Sequence, residues 1–131
     1  MKTLFLILST FALISCNKTN NAMSEAIKPL KAVPEFVVNG RNITLTADKS
    51  EGDVCSYGFD MAAGSPDGAH ITFSPNSSVW GDKKDDKYVP GTLKFIPITA
   101  TVDKPGDYNF SMEVLDRDRK SNWAYFKVTI K

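Results

Sequence analysis

The stretch Lys104-Pro105-Gly106-Asp107-Tyr108-Asn109-Phe110-Ser111-Met112-Glu113-Val114-Leu115-Asp116 decides the fold class of this chain. Pro105-Gly106 reads as a turn, because proline presets its own φ and glycine accepts backbone conformations that other residues resist. From Tyr108 the residues alternate, with Tyr108, Phe110, Met112 and Val114 on one face and Asn109, Ser111 and Glu113 on the other. A period of two marks a half-buried strand. The polar turn Asp116-Arg117-Asp118-Arg119-Lys120-Ser121-Asn122 leads into a second alternating run, whose core phase is Ala124, Phe126, Val128 and Ile130. Tyr108 opens its strand directly after a turn, so its ring is expected inside and its hydroxyl bonded to upstream backbone.

The same period extends upstream. Asn42 to Ala47 puts Ile43, Leu45 and Ala47 on one face, and Val54 to Met61 does the same for Cys55, Tyr57, Phe59 and Met61. Ala69 to Ser74 offers Ile71 and Phe73. Leu93 to Val102 continues as a strand in which Pro97 implies an edge position or a bulge, since proline cannot donate to a ladder. No segment of the domain holds a helical period. Strands at this spacing, separated by turn residues, predict an all-β antiparallel sandwich over residues 33–131, with Tyr57, Phe59, Tyr108, Phe110 and Phe126 inside.

The Pro105-Gly106-Asp107-Tyr108 stretch and the strand behind it resemble the Pro-Gly-x-Tyr pattern of polycystic-kidney-disease (PKD) type domains and their immunoglobulin-like relatives in bacterial surface proteins. Ser56-Tyr57-Gly58-Phe59-Asp60-Met61 is similar to their Tyr-x-Trp-Asp-Phe strand, with Phe59 where they carry tryptophan and Ala62-Ala63-Gly64 where Gly-Asp-Gly normally follows. The resemblance implies an immunoglobulin-like sandwich and no particular ligand.

The N-terminus reads as an address. Lys2 precedes the apolar run from Leu4 to Ile14, which is too short for an ordinary membrane span and suits an export signal. Leu13-Ile14-Ser15-Cys16 resembles the lipobox of bacterial lipoproteins. By that resemblance residues 1–15 are removed, Cys16 receives a diacylglycerol thioether and an N-acyl (palmitate-type) chain, and residues 16–32 form a flexible tether. A plain secretory signal, cut between Ser15 and Ala22, is the alternative. Asn17 is not the aspartate that retains many lipoproteins at the inner membrane, so the resemblance favours the outer membrane and leaves its facing side open. With Cys16 taken by lipid, no disulfide is expected, and Cys55 reads as a small buried hydrophobe.

Composition narrows the partners. The 131 residues hold 16 Lys and Arg against 15 Asp and Glu, which gives no reason to expect nucleic acid. His70 is the single histidine and lacks a nucleophile-elbow or triad context, so no enzyme is expected. Neither cofactor nor metal is expected; the weak calcium candidates are Asp116 and Asp118, with Asp60, Asp103 or Asp107 as further donors if the turns of one end converge. Arg117, Arg119 and Lys120 interleave those acids, and a solvated turn is the reading taken.

Residues 80–88 read as a charged loop bracketed by Trp80 and Tyr88, and residues 62–69 as a second flexible loop. The core phase of the last strand leaves Trp123 and Tyr125 on the outer face, two residues apart, as a flat platform for a sugar face or a protein partner. Trp123, Tyr125, Trp80 and Tyr88 are therefore the candidate binding residues. The expected function is a membrane-anchored, non-catalytic binding or adhesion module for an envelope protein or glycan. Its alternative is a structural accessory subunit of an envelope enzyme, polysaccharide-utilisation or secretion system.

Overall fold

The computed structural model describes residues 28–89 and 91–131; the signal segment, Cys16 and the tether as far as residue 27 lie outside the described residues. Among the described residues ten strands follow in order: β1 (Glu35–Asn39), β2 (Asn42–Thr46), β3 (Ser56–Met61), β4 (Ile71–Ser74), β5 (Ser78–Trp80), β6 (Lys83–Lys84), β7 (Lys87–Tyr88), β8 (Ile98–Val102), β9 (Gly106–Leu115) and β10 (Ser121–Ile130). They form a four-stranded sheet of order β1-β2-β8-β4, a second of order β10-β9-β3-β5, and the small β6-β7 hairpin. All pairings are antiparallel.

One cluster of buried side chains draws on both large sheets. Ile43, Leu45, Ile98, Ala100 and Val102 come from the first, and Tyr57, Phe59, Tyr108, Phe110, Met112, Val114, Val128 and Ile130 from the second. Phe126 is only half-buried but central: it stacks on Phe110 at 5.4 Å and on Phe36 at 5.6 Å, and meets Phe59 edge-on at 6.3 Å. Through Phe36 the edge strand β1 closes over the second sheet. Such offset and edge-on pairs add to the burial of the rings themselves.

The turn before β9 behaves as its sequence implies. Gly106 has φ 141°, in the region that favours glycine. The Tyr108 hydroxyl donates to the Lys104 carbonyl at 2.7 Å, fixing the ring four residues downstream of its acceptor.

Several expectations need correction. The strand that was to begin at Leu93 begins at Ile98, and β8 is central rather than an edge. Pro97 falls just outside the ladder, where its missing N–H costs nothing. The charged loop of residues 80–88 contains the β6-β7 hairpin, turned by Asp85 and Asp86 at φ 53° and 65°. Aspartate tolerates that region better than most side chains. The second loop is not loose. Asn109 exchanges backbone and side-chain hydrogen bonds with Ala62, Ala63 and Ser65, tying residues 62–65 to β9.

The folded unit also starts earlier than residue 33. Lys31 and Glu51 exchange two backbone hydrogen bonds of 2.9 Å, Ala32 is buried, and its N–H donates to Asn122 Oδ1 at 2.9 Å. Cys55 is buried beside Tyr88. Contrary to expectation it is disulfide-bonded.

Candidate binding surface

The register of the second sheet decides which side chains share its outer face. Because the pleat alternates, the residues between the buried positions of β10, β9, β3 and β5 all point away from the core. They stand in rows. Trp123 pairs with Glu113, Glu113 with Gly58, and Gly58 with Ser78. On one side lies the row Tyr125, Ser111, Asp60, and on the other Ser121, Leu115, Ser56, Trp80.

Aromatic residues thus flank this face and small ones fill its middle. Trp123 and Tyr125 stand on the edge strand β10, 50% and 71% exposed, and Trp80 stands on the opposite edge strand β5, 63% exposed. Between them Ser56, Gly58, Ser78 and Ser111 keep the surface low. An open depression of about 180 Å³ results, lined by Gly58, Asp60, Ser78, Ser111, Glu113 and Trp123 among others. At roughly 4.8 Å between strands, β10 and β5 are about 14 Å apart, and Trp123 and Tyr125 are about 7 Å apart along their strand.

Polar groups in the depression have little to do internally. Among the described residues the Glu113 carboxylate has no hydrogen-bonding or cationic partner. Asp60 accepts only from the neighbouring Met61 N–H, at 2.8 Å. Gly58 sits close to its neighbours: a Cβ there would lie 3.1 Å from Ser78 Cβ and 3.4 Å from the Ser77 carbonyl oxygen, so Ser78 would have to yield by a few tenths of an ångström.

Of the four aromatic candidates, three present their rings to solvent and one does not. Tyr88 is 6% exposed and lies against Cys55, so it is a packing residue of the hairpin. The hairpin's Lys83 ammonium sits 5.1 Å from the Tyr88 ring centroid and 5.7 Å from that of Trp80. One cation therefore steadies Trp80 beside the hairpin. Trp80 joins Trp123 and Tyr125 on a common face, which adjacency in sequence could not indicate.

The acidic residues suggested for calcium do not converge. Asp116 lies beyond the C-terminal end of β9, whereas Asp103 and Asp107 lie at the other end of this ten-residue strand, about 30 Å away. Asp116 Oδ1 instead accepts the N–H groups of Asp118 and Lys120 at 2.8 and 2.9 Å, shaping the β9-β10 turn. No group of three metal-ligating side chains exists among the described residues. His70 is exposed, and its backbone N–H donates to Asp103 Oδ1 at 2.8 Å. That bond holds the Asp103 carboxyl below the usual carboxylate range.

Glu113, Gly58, Ser78 and Ser111 were not singled out from the sequence, and Asp60 was singled out only as a further calcium donor. Their signal was the polar phase of each strand, but which strands adjoin is a matter of topology. No family model matches this chain, and no curated protein or solved structure matches it.

Proposed function

We propose that this chain is a lipid-anchored envelope protein whose sandwich, immunoglobulin-like in type, serves as a non-catalytic binding module. The observation that carries the reading is the shared outer face of β10, β9, β3 and β5, on which Trp123, Tyr125 and Trp80 remain exposed around a polar depression. Exposed rings gathered on one face around polar groups are a feature of interaction sites, unlike apolar residues scattered singly over a surface. The immunoglobulin-like assignment is supported by the Tyr108–Lys104 corner and by the order β1-β2-β8-β4 opposite β10-β9-β3. It departs from the usual pattern in that β4 precedes β5 along the chain.

The anchor rests on Leu13-Ile14-Ser15-Cys16 and the apolar run before it. Two or three acyl chains at Cys16 would hold the domain at the outer membrane, since each buried methylene contributes about 0.8 kcal/mol. One sulfur carries either a lipid thioether or a disulfide, so peptide mass mapping of Cys16 decides that point directly. Cys16→Ser is expected to abolish partition into detergent.

Binding itself is tested by co-sedimentation of the full chain with washed envelope fragments of the source cell. The wild type is expected to sediment with them and the Trp123→Ala, Tyr125→Ala double variant to remain in the supernatant. Equal sedimentation of both would remove the aromatic face from the function and favour a structural accessory role.

A further inference from the structure

The layout of the face selects the chemistry that suits it. Protein interfaces concentrate aromatic anchors at the centre and place polar groups on the rim. Here the order is inverted: exposed rings stand on the two edge strands, and the middle carries Glu113, Asp60, Ser78 and Ser111. A flat protein partner would press apolar surface onto two carboxylates and leave them desolvated without counter-ions. The depression holds two acidic groups and no cation, which repels an anionic polymer.

Hydroxyl-rich, uncharged chains fit both features. Aromatic faces receive the C–H face of a pyranose ring, and free carboxylate oxygens accept from its hydroxyl groups, charge-assisted bonds stronger than neutral ones. We infer that a neutral polysaccharide lies across the strands of the second sheet, stacked on Trp123 and Tyr125 at one side and on Trp80 at the other, with its hydroxyls donating to Glu113 and Asp60 over Gly58. This rests on the binding-module reading and gives that module its ligand class. The spacing of about 14 Å between edge strands makes the ligand a chain of several sugars rather than a monosaccharide. Trp80 offers the ring side not engaged by Lys83.

The test is native affinity electrophoresis of the full chain in a polyoxyethylene detergent, through gels containing a soluble β-glucan, xylan, galactomannan or galactan, with polygalacturonate as the anionic comparison. At least one neutral polymer is expected to retard the wild type, and polygalacturonate is not. Trp123→Ala is expected to weaken retardation about tenfold or more, as truncation of an aromatic anchor does. Glu113→Gln, which keeps shape and removes charge, is expected to weaken it less. Gly58→Ala, which narrows the depression, is expected to weaken it while far-ultraviolet circular dichroism stays unchanged.

Failure of every neutral polymer, preference for polygalacturonate, or retardation that survives Trp123→Ala would each overturn the assignment. If no neutral polymer acts while envelope co-sedimentation still depends on Trp123 and Tyr125, the glycan falls and the binding module stands. Loss of both results removes both readings.

Discussion

The Tyr57 hydroxyl donates to the Ile96 carbonyl and accepts the Ile96 N–H, each at 2.7 Å. Tyr57 belongs to the second sheet, whereas Ile96 enters β8 of the first, so one hydroxyl satisfies both backbone groups of a residue across the core. Phe95, next to Ile96, stacks on the same ring at 5.4 Å. Tyr57→Phe keeps the stacking and removes both bonds. The expected loss is about 1–2 kcal/mol of unfolding free energy, at a net worth near 1 kcal/mol for each bond. Urea denaturation measures it, and an unchanged midpoint would mean that water replaces the hydroxyl at no cost.

The same residue sets an alkaline limit. Burial pushes the Tyr57 phenol above its ordinary value of 10.0, opposed by the hydrogen bond with Ile96 and reinforced by nearby Asp48. A raised folded value means that the native state holds the proton more tightly than the unfolded chain. Stability from this group is therefore complete below about pH 10 and declines as pH rises through the folded value. Denaturation midpoints measured from neutrality to pH 11 should fall more steeply for wild type than for Tyr57→Phe. Parallel curves would assign the alkaline loss to other groups.

At the corner, the Tyr108 hydroxyl has a single acceptor, the Lys104 carbonyl. Tyr108→Phe should cost about 1 kcal/mol, less than Tyr57→Phe, because one bond is lost and not two. Comparison of the two variants in the same denaturant series checks the ranking.

That corner was legible in the sequence because its parts are local: a Pro-Gly turn, then a tyrosine at the head of an alternating strand. The same holds for β2, β9 and β10, and for the exposure of Trp123 and Tyr125, since strand phase alone separates inside from outside. What phase does not carry is neighbourhood. Nothing near Trp80 in the chain announces that β5 pairs with β3, and so Trp80 and Trp123 could be singled out but not assembled. Glu35 to Asn39 forms β1 although all five residues are exposed; Phe36 is recruited by Phe126 from the other sheet, a contact between distant segments. The β6-β7 hairpin was hidden by its charges, because two-residue strands leave no period to read.

Glycine requirements separate into two kinds that mutation can tell apart. Gly40 has φ 62° with open space around its missing Cβ, whereas at Gly106, φ 141°, a Cβ would meet Pro66 Cγ at 2.6 Å. Gly40→Ala should cost only the backbone term, about 1–2 kcal/mol. Gly106→Ala adds a clash with a ring that cannot rotate away, and should displace residues 65–67 and cost more than Gly40→Ala. Thermal midpoints of the two variants measure the difference, and equal losses would show that the 62–69 loop yields freely.

Trp123 and Tyr125 are placed by the phase of β10, with Ala124 and Phe126 turned inward, so their rings are not structural supports. Removing them should therefore affect binding and leave folding alone. Surface substitutions away from caps and turns usually fall within about 0.5 kcal/mol, which for a domain of this size moves the midpoint by only a few degrees. The Trp123→Ala, Tyr125→Ala double variant is expected to keep its thermal midpoint within that range. In a Trp80→Phe background the remaining fluorescence belongs to Trp123, half of whose surface is open, and acrylamide should quench it efficiently. A large drop in midpoint, or emission that resists acrylamide, would mean that these rings are covered in solution, and the outer face of the second sheet would then be closed to a ligand.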